Sequence, residues 1–215
     1  MSVTGVWIIG AVPDHEVRNL VSVASQDSPP TQMQMRCDVP GELAWWRGPA
    51  QVSLFRTSTS TADDGSAEED ALRLSTFFDS CHDDSDQAEK LRDAVMDQFP
   101  PDAGEGLFVA TARKASPFSA LAYALGPDAT LRLPGWFGDF LLDAEQVRAQ
   151  LPAAEVTLTL NGNPRRDAIE RIHAWMTRLG DDPAHDADEL IEGPLRVLRH
   201  AARTGQGAAG QVRWY

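Results

Sequence analysis

Lysine is scarce in this chain. Only Lys90 and Lys114 occur, every other basic residue is arginine, and 19 basic side chains face 32 acidic ones. The formal charge of −13 repels phosphate backbones at long range, which excludes non-specific binding of DNA or RNA. Cysteine is equally sparse: Cys37 and Cys81 stand far apart in neither a CxxC nor a CxxH spacing. That excludes a metal knuckle and a dithiol redox motif, and both residues read as small, partly buried free thiols. Long apolar runs are missing too. The one near the N-terminus spans residues 6–12, without a basic segment before it, whereas a membrane helix needs about 20 apolar residues and a secretory signal a longer apolar core. No membrane association is expected, and the expected location is cytoplasmic. There is no Gly-rich turn after a first strand, no internal repeat and no catalytic or cofactor motif, so no cofactor and no catalytic residue is predicted.

What is present is a globular balance: 215 residues, 42% hydrophobic and 24% charged, enough to bury a core without disulfides or metal. GVWIIGAV over residues 5–12 is an apolar, β-branched run that reads as a buried strand. Asp14 then stands as a candidate N-cap before Val17, Leu20, Val21 and Ala24 at helical spacing, in a helix ending near Ser25. Residues 26–41, with Pro29, Pro30 and Pro40, read as an irregular connection. Residues 43–46 and 51–56 suggest two short strands around Gly48 and Pro49, and the polar stretch 57–67 a mobile loop.

Apolar stripes at helical spacing recur over residues 68–81 and 85–99, predicting two amphipathic helices joined by a turn. Prolines and glycines at 100–106 mark a soft boundary before a strand over 107–113. Ser116 and Pro117 open a helix that Gly126 and Pro127 stop. Asp143 caps a short helix that Pro152 ends, and the alternating EVTLTL of 155–160 leads into the Asn161-Gly162 turn. Helices over 164–179 and 187–203 and a final strand over 211–215 complete the chain. Short strands and several amphipathic helices without regular alternation indicate an α+β fold, read as a single compact domain over 1–215.

The most informative feature is the distribution of charge. Residues 63–105 hold 14 acidic and three basic side chains, a net of −11; the remainder of the chain nets −2. If both helices of this stretch bury their apolar faces, the carboxylates gather on the solvated side, where Asp79, Asp83, Asp84, Asp86, Asp93 and Asp97 would meet a basic protein partner. Such a face suits an immunity or self-protection inhibitor. It equally suits a solubilising surface.

Other clusters offer less specific chemistry. Asp181, Asp182, His185, Asp186, Asp188 and Glu189 are the densest group of potential metal ligands, yet they lack an EF-hand register and read as a helix-capping loop, so no metal is predicted. Cys81-His82-Asp83-Asp84 places thiol, imidazole and carboxylate side by side, but sequence adjacency does not aim them at one another. Paired aromatics occur at Trp45-Trp46, Trp136-Phe137 and Trp214-Tyr215. Flanked by Gly135 and Gly138, Trp136, Phe137 and Asp139 form the candidate lining of a small-molecule pocket, the alternative to a protein partner.

The C-terminal third, with its Asp-opened AEQVRAQL helix, a long helix and then LRVLRHAARTGQGAAGQVRWY, resembles the tail of the YfbM-like family of uncharacterised bacterial proteins. The resemblance implies a late helix ending in small residues and glycine before an apolar terminal strand. The likeness covers at most the last 80 residues, and residues 117–124 depart from the Trp/His-containing helix the family would place there. It carries over neither an activity nor functional residues.

Overall fold

The computed structural model describes residues 4–27, 39–50, 66–82, 85–102, 104–114, 116–181 and 186–215. The fold is α+β. Its centre is a four-stranded sheet of order β2-β1-β4-β3, antiparallel throughout, formed by β1 (Gly5–Val12), β2 (Leu107–Ala112), β3 (Phe140–Leu142) and β4 (Gly207–Trp214). The continuous apolar run of β1 reflects burial on both faces. Trp7, Ile9 and Ala11 enter the large core, while Val12 joins Val17, Val95 and Ala209 in a smaller core on the other side.

On the smaller-core side lie α1 (Asp14–Asp27) and α4 (Asp86–Met96). On the large-core side lie α5 (Pro117–Leu125), α7 (Ala144–Leu158) and α9 (Ala187–Thr204), with α8 (Asn163–Arg178) packed on α5. Between β1 and the sheet's later strands the chain also forms α2 (Val39–Trp45), a π-helical turn (Trp46–Ala50) and α3 (Ser66–Ser80), and the short α6 (Pro127–Thr130) follows α5. α3 packs on α8.

The predicted strands at 5–12, 107–113 and the C-terminus form, the last beginning four residues earlier, at Gly207. Three expectations are corrected. Residues 43–46 belong to a helix and a π turn, since Leu43 and Trp46, three apart, both turn to the core. Pro152 does not end α7: Ala154, Thr157 and Leu158 are buried at helical spacing and Val156 is 74% exposed, so the EVTLTL alternation is incidental. The Thr157 hydroxyl donates to the Ala153 carbonyl (2.8 Å) within that helix. Asp14 does not cap its own helix; its Oδ1 accepts from the Ala144 N–H (2.7 Å), tying the start of α1 to the start of α7. Of the predicted connection at 26–41, residues 26–27 and 39–41 are helical and the rest lies outside the described residues, as do the strand at 51–56 and most of the loop at 57–67.

Two glycines hold the layers at close range. A Cβ on Gly193 of α9 would stand 2.1 Å from Phe108 Cδ2, and one on Gly10 of β1 would stand 2.2 Å from Phe99 Cδ1.

Candidate functional site

The site grows from a tight turn. Trp136 and Asp139 exchange backbone hydrogen bonds at 2.9 and 3.0 Å around Phe137 (φ 48°) and Gly138 (φ 96°). Positive φ at both central positions is the geometry of a primed hairpin turn, in which a bulky residue is strained. Phe137 tolerates it because its ring is locked in the core, 5.4 Å from Phe77, 5.5 Å from Phe78 and edge-on to Phe118. A Cβ on Gly135 would meet the Asp139 carbonyl at 2.2 Å, so glycine there lets the chain double back.

The turn delivers Asp139 to the end of β3. Stepping through the β3–β4 register, the Val212 N–H points at the position β3 would occupy next; instead Asp139 Oδ1 accepts it at 2.8 Å. Asp139 Oδ2 accepts from His82 Nδ1 (3.0 Å) and Arg92 Nη2 (3.2 Å). One carboxylate thus joins the sheet to His82, two residues past α3, and to α4. Burial pushes its pKa up, but the His82 bond and charge, the Val212 N–H and the Arg92 charge together outweigh that and hold it below the ordinary aspartate value. His82 is 9% exposed. His82 Nε2 makes no hydrogen bond to a described residue.

The network continues along α4. Arg92 Nη1 donates to Glu89 (2.6 Å), while Arg213 of β4 donates to Glu89 (2.7 Å) and Asp93 (2.8 Å). Gln211 Nε2 donates to the Arg92 carbonyl at 3.3 Å. Burial lowers the pKa of Arg92 less than Asp139 and Glu89 raise it, so it stays charged. Two of the three acidic side chains of α4, Glu89 and Asp93, are therefore occupied in pinning the helix to the sheet.

This changes the picture of the acidic face. Among the described residues, α3 packs on α8, while α4 packs on α1 and holds Arg213 of β4. Asp86 and Asp97 are exposed on α4 and just beyond it, with no cation bound among the described residues; Asp93 is 67% exposed in its side chain but holds Arg213. Asp79 is half-buried at the end of α3, its carbonyl accepting from the His82 N–H. Asp83 and Asp84 lie outside the described residues.

Of the alternative site, Asp139 is the hub just described, Trp136 is half-buried edge-on to Phe137 (4.8 Å), and Phe137 faces the core rather than solvent. A recess of about 470 Å³ between α2 and α3 is lined by Glu42, Glu69, Leu72, Arg73 and Phe77, and Trp136 does not line it. Arg73 and Glu42 form a two-bond pair (3.0 and 2.7 Å) in its wall, and Arg73 lies 3.9 Å over the Trp45 ring. Sequence reasoning missed His82 and Arg92 as partners of Asp139. Their only common signal is residue type, because they lie 57 and 47 residues from it.

The clustered acids of 181–189 are structural where described. Asp181 Oδ2 accepts the Arg113 and Lys114 N–H groups (2.7 and 2.8 Å), Asp186 caps α9 through the Asp188 N–H (2.9 Å), and Asp188 binds Arg165. Asp182 and His185 fall outside the described residues. Cys81 is a buried free thiol, and among the described residues no helix is long and apolar enough to cross a membrane.

Comparison with protein-family models, curated proteins and solved structures yields no match to this chain. The YfbM-like likeness of the C-terminal third therefore rests on its residue pattern alone.

Proposed function

We propose that this chain is a non-catalytic, cytoplasmic binding protein that engages a basic protein partner through the outward side of α4, in the manner of an immunity or self-protection inhibitor. The observation that carries the reading is the net of −11 over residues 63–105 against −2 elsewhere. In support, Asp86 and Asp97, eleven residues apart and therefore on one side of the helix, are exposed with no cation bound among the described residues, and Asp93 between them is exposed although it holds Arg213. Arg92 and Arg213 neutralise the inner carboxylates and fix the helix rigidly, which lowers the entropy lost when a partner docks. Lys90 interrupts the acidic stripe and sets where a partner's own acid would fall.

The test is affinity capture from the protein's native lysate at low and high salt, with the Asp86→Asn/Asp93→Asn/Asp97→Asn variant beside the unaltered chain. A basic protein retained at low salt, released at high salt and lost with the variant is the expected result. Capture indifferent to both salt and substitution overturns the reading.

A second reading, a small-molecule site beside Trp136, draws on the strained Phe137 turn and on the unbonded His82 Nε2. It predicts ligand-induced thermal stabilisation over a metabolite panel that disappears in His82→Asn. Stabilisation retained by that variant counts against it.

A further inference from the structure

Side chains alternate across a strand, so the two faces of β1 and β2 can be told apart. Trp7, Ile9 and Ala11 of β1 and Phe108, Ala110 and Ala112 of β2 enter the large core. Val6 and Ile8, with their partners Thr111 and Val109, therefore turn to the side that carries α1 and α4, and Leu107 turns with them. On that side Val109 is 48% exposed, Val6, Leu107 and Thr111 are half-buried, and Ile8 is buried between them.

This apolar patch has an acidic wall. Val6 also pairs with Arg213 of β4, whose guanidinium donates to Asp93 Oδ1 (2.8 Å) and Met96 Sδ (3.1 Å) of α4. A little further along the chain, Phe99 lies against β1, where a Cβ on Gly10 would stand 2.2 Å from its ring. Residues 93–99 thus border the patch along β1. Asp97, exposed one turn past Asp93, stands on that border.

We propose that the patch and its wall receive an amphipathic, basic helix of the partner. The inference rests on the basic-partner reading above and adds the shape of what docks. Two strands span about 10 Å and residues 107 to 111 about 14 Å, a strip as wide as one helix and as long as two to three of its turns. Apolar side chains of the incoming helix at i, i+3 or i+4, and i+7 cover Val109 and its neighbours, while lysine or arginine on its flank meets Asp97 and Asp93. Lying beside α4, it extends the helical layer that α1 and α4 form on this side of the sheet. Arg113 is exposed just past the end of β2, so the partner's basic residues belong on the α4 flank and not at that end. A second copy of this chain is the wrong occupant, because its net charge of −13 would meet the same acids.

The probe is a synthetic peptide of about 14 residues, leucine on one helical side and lysine on the other, labelled with fluorescein and followed by anisotropy. One comparison peptide has the same composition in scrambled order; another has glutamate for lysine. The unaltered chain is expected to bind the first peptide at least about tenfold more tightly than either comparison, and less tightly as salt rises. Val109→Thr keeps the shape and strand preference of the side chain but places a hydroxyl in the contact, and should weaken binding about five- to tenfold. Val156→Thr, the same change at an exposed valine of α7 on the other side of the sheet, should leave it unchanged. Asp97→Asn should weaken binding and flatten its salt dependence. Thermal unfolding verifies that each variant is folded. Binding that follows salt and Asp97 but ignores Val109→Thr overturns the helix site and leaves the basic-partner reading standing. Binding indifferent to salt and to Asp97→Asn overturns both. No binding, or equal binding of the scrambled peptide, overturns the helix site alone.

Discussion

Replacing Asp139 by Asn removes one negative charge and leaves the shape of the side chain. The Val212 N–H keeps an acceptor, but the amide turns donors toward His82 and Arg92, so two charge-assisted bonds at 3.0 and 3.2 Å are lost. Such bonds contribute about 1.5–3 kcal/mol each. Arg92, only 11% exposed in its side chain, retains Glu89, and Asp139 is itself 19% exposed, both of which soften the loss. The net expectation is a loss of about 3 kcal/mol, or roughly 6–12 °C in Tm for a chain of this size, measured by urea unfolding followed through tryptophan fluorescence.

The pH dependence provides an internal control. The folded carboxylate titrates below its unfolded counterpart near 3.9. Its stabilisation is therefore complete above about pH 5 and drains away as pH falls toward the folded value, and Asp139→Asn should flatten that part of the curve. A loss under about 0.5 kcal/mol, or an unchanged acid limb, would refute the assignment of Asp139 as the hub.

Three further outcomes follow from the packing. Gly193→Ala normally gains about 1 kcal/mol in a helix, but here its methyl meets Phe108, whose ring is held edge-on to Trp7 at 5.1 Å, so a net loss of about 1–3 kcal/mol is expected in the same unfolding assay. Phe137→Ala should cost about 3–4 kcal/mol by emptying the space among Phe77, Phe78 and Phe118, whereas Phe137→Leu should cost much less; equal losses would show that the backbone and not the ring dominates. Arg213→Gln, which frees Glu89 and Asp93, should lose about 1–2 kcal/mol, while Asp86→Asn should change stability by less than about 0.5 kcal/mol. Equal effects in thermal unfolding would contradict the division of α4 into a pinned and a free side.

Local pattern accounts for most of the elements. β1 was legible because both its faces are buried, which leaves an unbroken apolar run; α4 because Ser85 supplies a cap and Leu91, Val95 and Phe99 supply a stripe. EVTLTL misled because alternation and helical spacing coincide over so few residues, and only burial of Ala154, Thr157 and Leu158 distinguishes them. The Trp136 to Asp139 segment resisted reading because its conformation depends on Phe77, Phe78 and Phe118 holding a strained ring in place.

Composition and periodicity alone determined the α+β class and the concentration of acid in 63–105, because each is a property of short windows or of simple counts. The partners of those acids were decided by tertiary structure. Arg213 lies 120 residues from Asp93 and 124 from Glu89, and Asp139 meets His82 and Arg92 only because β3 stops after three residues beside β4. Ion pairing depends on distance in space, and the antiparallel sheet brings together charges whose separation along the chain carries no signal of their meeting.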